Sequence, residues 1–300
     1  MKYDWNAVEK LARENMEGLV FNSELSFTSQ ISYISDRIYQ NSDCKLVLVA
    51  GPSSSGKTTF TKLLGQRLEY LGVKVHTIST DDFFLDREKV PYLPNGLRDY
   101  DSLAALDVPR LQETIRAILN GEWVEVPTFD FISGKSKPRA DLLRLYQEDI
   151  VVVEGIHALN PVFLENEHDE RLVRVSIQPR SSFFFDAQLS LLPDDLRLLR
   201  RTIRDYGSRG HALQDTIRQW GAVLEAEETY IKPFLDMVDY RVDSTYAYEP
   251  FIYKYCIYDY MQKNPCAGYE HLGEVLSRVP SLPLPSIPQE SLLNEFVHVI

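Results

Sequence analysis

The chain has 300 residues, of which 44% are hydrophobic and 25% are charged, and its formal net charge at pH 7 is −12. This length is enough for one large α/β domain with extensions, and three widely spaced cysteines exclude a disulfide framework and disfavour a zinc site. The negative charge disfavours binding to nucleic acid or to an anionic membrane, so an anionic ligand would need a local cluster of basic residues.

Residues 1–43 predict a helical extension ahead of the main domain. Their apolar residues form two stripes at helical spacing, namely Trp5, Val8, Leu11 and Ala12, and then Ile31, Ile34 and Ile38. Two helices are therefore expected. Nothing in them suggests chemistry, so we expect them to pack against a sheet.

Residues 46–50 predict a buried strand, because they form a short apolar run rich in β-branched residues. The next eight residues fit the phosphate-binding pattern G-x-x-x-x-G-K-S/T, and an amphipathic helix follows. Backbone N–H groups and a helix N-terminus then point at one position, where they can bind the phosphates of a nucleotide. Lys57 would reach the β- and γ-phosphates, and the Thr58 hydroxyl would bind Mg²⁺. The predicted ATP-binding residues here are Gly51, Ser53, Ser54, Ser55, Gly56, Lys57, Thr58 and Thr59.

An alternating segment over residues 73–78 predicts a second strand that is followed by two aspartates. Asp81 and Asp82 would lie where α/β sheets bind ligands, although a cap or a turn explains such a pair equally well. We expect this strand to lie beside the loop strand, with Asp81 facing the phosphates and Asp82 pointing elsewhere. Residues 85–106 are polar and contain prolines, and they predict a loop over the site.

The middle of the chain predicts a helix, a loop segment and another buried strand. Asp107 caps the helix, with Pro109 in its first turn. Residues 127–138 mix aromatic residues with turn formers and fit a substrate hairpin or an exposed loop. Residues 150–153 predict the strand, and Glu154 at its end is placed to bind Mg²⁺ directly or through water.

A helix predicted over residues 194–205 contains four arginines: Arg197, Arg200, Arg201 and Arg204. Like charges four residues apart destabilise a helix unless they have a partner, which favours a bound anion next to a phosphate-binding loop. The alternative is a solvated face neutralised by Asp194, Asp195 and Asp205. We expect residues 195–211 to form a mobile lid.

The rest of the chain predicts a helix over residues 216–230 and a last strand over 240–243. Residues 247–300 predict a C-terminal extension with a helix and a proline-spaced segment. Extended, polyproline-like packing is the plain interpretation of that segment, and a partner-binding site is the alternative.

Several segments, in this order, resemble the phosphoribulokinase/uridine kinase family. They are Gly51-Pro-Ser-Ser-Ser-Gly-Lys-Thr-Thr, Ser79-Thr-Asp-Asp-Phe-Phe, Pro127-Thr-Phe-Asp-Phe, Glu154-Gly-Ile and Leu199-Arg-Arg-Thr-Ile-Arg-Asp-Tyr-Gly-Ser-Arg-Gly. Residues 154–161 and 287–296 resemble more closely the bacterial uridine kinase-like nucleoside kinases, whose upstream threonyl-tRNA-synthetase-like region this sequence does not contain. The resemblance implies a P-loop kinase fold, α/β in class, with a mostly parallel sheet and helices on both faces. It places the kinase domain at residues 44–246, between extensions at 1–43 and 247–300.

The resemblance also implies individual roles. Asp81 matches the general base, and Lys57 acts with it on the transferred phosphate. The Mg²⁺ positions match Thr58 and Glu154, and the arginines on the ATP phosphates match Arg204 and Arg209. The substrate contacts match Asp101, Arg201, Gln219 and Phe129, with Asp101 holding the ribose hydroxyls.

This chain departs from uridine kinases at three positions. Phe129 and Gly134 stand where those enzymes carry a tyrosine and a histidine that recognise the pyrimidine, and His211 replaces an expected arginine. Polar contacts to the base edge set specificity, so these changes weaken an assignment to uridine or cytidine.

We therefore predict a kinase that uses Mg²⁺ and ATP and phosphorylates a small-molecule acceptor, in the first place the 5′-hydroxyl of a nucleoside. The alternatives are a kinase of a sugar phosphate or another small alcohol, and a weakly catalytic ATP-binding regulator. The absence of an N-K-x-D motif disfavours a GTPase. No apolar run reaches the roughly 18 residues of a membrane span, so we expect a cytoplasmic enzyme that binds neither membrane nor nucleic acid. A homo-oligomer is left open.

Overall fold

The structure is a computed structural model that describes residues 2–93, 96, 98–164, 171–210, 212–265, 267–268, 270–284 and 286–297, with only the backbone described at residues 140, 141, 208 and 209. The helices are α1 (Trp5–Gln40), α2 (Lys57–Tyr70), α3 (Val108–Leu119), α4 (Pro193–Arg209), α5 (Leu213–Tyr230), α6 (Glu249–Lys263) and α7 (Glu270–Arg278). The strands are β1 (Lys2–Asp4), β2 (Leu46–Ala50), β3 (Val75–Ser79), β4 (Val124–Asp130), β5 (Lys135–Leu143), β6 (Ile150–Glu154), β7 (Leu172–Gln178), β8 (Ser182–Phe184), β9 (Ser190–Leu191) and β10 (Tyr240–Asp243).

The centre of the fold is a five-stranded parallel sheet with the strand order β10-β7-β2-β6-β3. All residues of β2 and β6 are buried, because a central parallel strand is covered on both faces. The predicted α/β class is confirmed. One predicted neighbour is wrong: β3 pairs with β6 and not with the loop strand β2. After the β4–β5 hairpin the chain returns to insert β6 between these two strands.

Helices cover both faces of this sheet, as predicted. Side chains alternate along a strand, so Val47 and Val49 of β2 join the core formed with α1, α2, α4 and α6. Leu46 and Leu48 join the second core, which contains α3. The carboxyl ends of the strands then form the edge at which α/β sheets bind ligands.

The N-terminal extension consists of two helical segments, as predicted, which follow each other within α1 and meet at a kink at Asn15. Asn15 within α1 has non-helical backbone angles (φ −159°, ψ 82°), and its side-chain oxygen accepts a hydrogen bond from the Gly18 N–H at 2.8 Å. Asn15 therefore acts as the N-cap residue of the second helical segment. The predicted apolar residues are buried except Leu11, which is 53% exposed, because 3.6 residues per turn rotate it away from Ala12.

The C-terminal residues return to the main core. Leu272, Val275 and Phe296 are buried in the same cluster as α1 and α2. A short 3₁₀ turn, Leu292–Glu295, ends this path beside α2. Within the described part of the chain, no helix is both long and apolar enough to cross a membrane.

Candidate active site

The predicted phosphate-binding loop connects β2 to α2 at the carboxyl edge of the sheet. At Gly51 the loop lies against β7, where an added Cβ would be 2.1 Å from the carbonyl oxygen of Ile177. Gly56 has φ +92°, in the left-handed region that favours glycine. The path of the loop thus requires both glycines, and it directs the N-terminus of α2 to one point.

A cavity of about 840 Å³ opens beside this loop. The predicted site residues that line it are Ser53, Ser54, Lys57, Thr58, Asp81, Asp101, Phe129, Glu154, Arg201, Arg204 and Gln219. Gly51, Ser55, Gly56 and Thr59 form the loop and the first turn of α2 but do not line the cavity. The side chain of Arg209 and all of His211 lie outside the described residues.

The loop contains polar groups that fit an oxyanion. The hydroxyls of Ser54 and Ser55 are buried and form no hydrogen bond with any described residue. The Lys57 ammonium donates to the Pro52 carbonyl oxygen at 3.1 Å, so it lies over the loop. A buried donor without a partner costs about 1–3 kcal/mol. Phosphate oxygens would satisfy these donors, which fits the ATP site predicted here.

Thr58 and Glu154 fit the predicted Mg²⁺ site. Burial raises the pKa of the Glu154 carboxyl; Lys57 opposes this shift and Asp81 adds to it. A cation would stabilise a carboxylate that is buried beside a second one. Among the described residues, no group of three or more His, Cys, Asp or Glu side chains could hold a metal ion. Phosphates and water would therefore have to supply the remaining oxygen ligands.

The two aspartates after β3 have different surroundings. Residues Thr80–Phe83 form a 3₁₀ turn, so strand alternation does not explain why the two side chains diverge. Asp82 accepts hydrogen bonds from the Thr128 hydroxyl at 3.1 Å and the Phe129 N–H at 3.3 Å, which ties the β4–β5 hairpin to this turn. Asp81 lines the cavity. Residues 127–138 thus belong to a hairpin, and Asp82 holds it in place.

Four aromatic rings of the cavity lining make edge-to-face contacts: Phe84 with Tyr100, Phe129 and Phe131, and Phe129 with Phe131. Their centroid distances run from 5.1 Å for Phe129–Phe131 to 6.1 Å for Phe84–Phe131. Asp101, which follows Tyr100 in the chain, also lines the cavity; burial raises the pKa of its carboxyl, and Arg201 opposes the shift. The cavity thus offers rings to a planar group and a carboxylate to hydroxyl donors.

Two of the four arginines of α4 are structural, which corrects their interpretation as one anion-binding group or one solvated face. Arg197 and Arg200 are buried. Arg197 pairs with Glu227 of α5, and Arg200 pairs with Glu249 of α6 at 2.8 Å. The repulsion expected from the spacing is absent at these residues, because each has a carboxylate partner from a distant part of the chain.

The other two arginines, Arg201 and Arg204, line the cavity, and their contacts with substrate and ATP stay predictions. Arg201 donates to the Ser53 hydroxyl at 3.0 Å and to the Gln219 side-chain oxygen at 3.4 Å. Arg201 therefore links the phosphate-binding loop to α5. The mobility of residues 195–211 stays a prediction.

Several residues of the cavity were missed by the sequence analysis: Phe84, Arg87, Arg98, Tyr100, Phe131, Ile156 and Glu295. Most lie in loops, where single residues form no periodic pattern. Glu295 accepts hydrogen bonds from the N–H of Thr59 at 3.2 Å and from its hydroxyl at 2.9 Å. No local signal relates two residues so far apart in the chain.

Known kinases are similar to this chain in sequence. A profile of the phosphoribulokinase/uridine kinase family matches residues 46–247. The uridine kinase of Staphylococcus aureus strain JH9 is 30% identical over 190 residues, which cover 63% of this chain and 82% of that enzyme.

Two solved structures are also similar to this chain. YFH7 from Saccharomyces cerevisiae, a candidate P-loop containing kinase with a circular permutation, is 11% identical with a TM-score of 0.50 and covers 71% of this chain and 98% of its own. D-glycerate 3-kinase from Cryptococcus neoformans is 18% identical with a TM-score of 0.46, over 70% of this chain and 89% of that one. At its low identity, the likeness to YFH7 concerns the fold alone.

Proposed function

Because the chain belongs to the phosphoribulokinase/uridine kinase family, we propose that it transfers the γ-phosphoryl group of Mg·ATP to the 5′-hydroxyl of a nucleoside. The observation that carries the acceptor class is the group of four aromatic rings beside Asp101. A nucleobase presents a flat face to aromatic rings. The ribose presents hydroxyls that can donate to a carboxylate.

A sugar phosphate is the second candidate acceptor, because Arg87 and Arg98 also line the cavity. Both guanidinium groups already contact the protein. Arg87 donates to the Phe131 carbonyl oxygen at 2.6 Å. Arg98 donates to the Glu88 carbonyl oxygen at 3.3 Å and stacks over a tyrosine ring. An acceptor phosphate would have to replace such contacts, which favours the uncharged nucleoside.

The loop end of the cavity accounts for the transfer. Asp81 takes the proton of the acceptor hydroxyl. The oxygen of that hydroxyl forms a bond to the γ-phosphorus, and the bond between this phosphorus and the leaving ADP oxygen breaks. Lys57 stabilises the negative charge on the transferred group, together with the arginines of the cavity. Mg²⁺, when bound by Thr58 and Glu154, supplies positive charge next to the nucleotide phosphates.

We further propose that the enzyme accepts several bases. Gly134 has φ +67°, and an added Cβ would lie 2.6 Å from the Arg87 Nε. Any larger residue here, including the histidine of uridine kinases, would have to displace Arg87. Stacking on Phe129 and its aromatic neighbours is open to every base, whereas the polar contacts that select a pyrimidine are lost at these positions.

A coupled assay of ADP release, run with nucleosides, sugar phosphates and vitamin alcohols in separate reactions, tests the proposal. We expect ADP to accumulate when a nucleoside is present. Release with sugar phosphates alone would favour the second candidate. ATP binding without release for any alcohol would instead indicate a regulatory ATP-binding protein. Asp81→Asn serves as the control for release that does not depend on this site.

A further inference from the structure

The 3₁₀ turn Leu292–Glu295 packs directly on the phosphate-binding loop. Leu292 contacts Gly56 so closely that a Cβ on the glycine would lie 2.2 Å from the leucine Cδ1. Leu292, Leu293 and Phe296 are each 0% exposed. The backbone of this turn is therefore anchored in the core on both sides of Glu295.

Glu295 is only partly buried and lines the cavity. Its carboxylate accepts hydrogen bonds from the backbone N–H of Thr59 at 3.2 Å and from the Thr59 hydroxyl at 2.9 Å. Thr59 lies in the first turn of α2, where backbone N–H groups have no partner within the helix. These are the groups that a phosphate-binding loop offers to nucleotide phosphates. The carboxylate thus occupies donors that a phosphate oxygen would use.

We propose that Glu295 competes with the nucleotide for the first turn of α2. In the ligand-free protein its carboxylate holds the Thr59 donors, and nucleotide binding displaces it. The inference rests on the proposed function in one respect, namely that the loop binds nucleotide phosphates. It adds a contact that weakens nucleotide binding and favours the release of ADP.

The displacement is a rotation of one side chain and not the detachment of the turn. Detachment would expose Leu292, Leu293 and Phe296 to water, which is unfavourable for buried apolar side chains. Rotation moves only the carboxylate, and the adjoining cavity provides space for it. Two anions cannot share the same donors without repulsion, so the phosphate and the carboxylate occupy this position in turn.

The test is the affinity for Mg·ADP, measured by calorimetry without any acceptor, in the wild-type protein and in Glu295→Gln. Glutamine keeps the shape of the side chain and removes its charge. We expect binding about tenfold tighter in Glu295→Gln, because a hydrogen bond to a charged group no longer has to be broken. Glu290→Gln is the matched control: Glu290 lies in the same segment, is exposed, and should leave the affinity unchanged.

Equal or weaker binding in Glu295→Gln overturns the proposal, and weaker binding would indicate that Glu295 assists the nucleotide or its Mg²⁺. Absence of Mg·ADP binding in both proteins also overturns it. Thermal unfolding checks that the variant is folded, and Glu295→Ala replaces it if it is not. The calorimetry measures no turnover, so it is independent of the kinase assay. The competition proposal can therefore be wrong while the kinase proposal is right, and the kinase proposal can be wrong while the competition proposal is right.

Discussion

Single residues of this site that are neighbours in the sequence have different tasks. Asp81 lines the cavity, whereas Asp82 holds the hairpin through Thr128 and Phe129. The same holds for Arg200 and Arg201, of which the first is buried and the second reaches the cavity. Substitutions at adjacent positions can therefore serve as each other's controls.

Asp81→Asn should lower kcat by about 10²–10⁴, because asparagine keeps the shape of aspartate but cannot take the proton. The affinity for Mg·ATP should change little. Asp82→Asn should keep most of the activity, since its side-chain oxygen can still accept from Phe129. ADP release and nucleotide binding, measured separately, make the comparison. An inactive Asp82→Asn beside a nearly normal Asp81→Asn would show that the assignment of the base is wrong.

The preference among nucleobases follows from Phe129 and Gly134. We expect kcat/KM for uridine to lie within about 10²-fold of the value for at least one purine nucleoside. Steady-state rates with uridine, cytidine, adenosine, guanosine and inosine provide the measurement. A larger preference for uridine over every purine would mean that other side chains replaced the lost polar contacts.

The buried His157 predicts a pH dependence of stability. It is 1% exposed, and burial lowers its pKa to about 4, although a hydrogen bond to the Asp101 backbone opposes this shift. The ring is neutral when folded but takes up a proton below pH ~6.5 when unfolded. Its contribution to stability is therefore full above that pH and is lost as the pH falls towards 4.

His157→Phe should remove this loss. Between about pH 6.5 and about pH 5, the free energy of unfolding of the wild type should fall by about 2 kcal/mol more than that of the variant. Urea unfolding at the two pH values tests it. The same pH dependence in both proteins would contradict a neutral buried ring.

Among the elements, α4 shows best what a sequence can and cannot predict. The helix itself was predicted because its pattern is local, as were β2, α2 and β10. The partner of Arg200 was not predicted, because Glu249 lies 49 residues further along the chain. The insertion of β6 between β2 and β3 also depends on pairing between distant segments. At the site, the residues of the glycine-rich loop formed a recognisable motif, whereas Glu295 and the aromatic loop residues did not.

Arg200→Met should destabilise the protein by about 3–5 kcal/mol, because it leaves Glu249 buried without its partner. Arg201→Met should lower kcat/KM with a much smaller loss of stability, since Arg201 reaches the cavity. Urea unfolding and ADP release on both variants give the two measurements. Equal losses of stability would contradict the division of α4 into structural and cavity-facing arginines.

At the scale of the whole molecule, the C-terminal extension is part of the main core. The family profile ends at residue 247, yet Leu276 and Phe296 belong to the same buried cluster as Phe27 and Phe60. The predicted limits of the kinase domain, 44–246, stay a prediction. The shared core indicates that the extension contributes to the stability of the whole fold.

Phe296→Ala should therefore lower the free energy of unfolding by about 3–5 kcal/mol, as for a large core residue. Exposed Tyr255→Ala in α6 is a control that should change it much less. Urea unfolding followed by fluorescence provides the measurement. A loss for Phe296→Ala no larger than that of the control would mean that the C-terminal turn is only loosely attached.

The contact between Thr59 and Glu295 joins residues that are 236 positions apart. A ribosome adds about 5–20 residues per second, so Thr59 is made about 10–50 seconds before Glu295. Throughout that interval the growing chain has neither Leu292 on Gly56 nor a carboxylate on the first turn of α2. The contact proposed to compete with the nucleotide is therefore among the last that the growing chain can form.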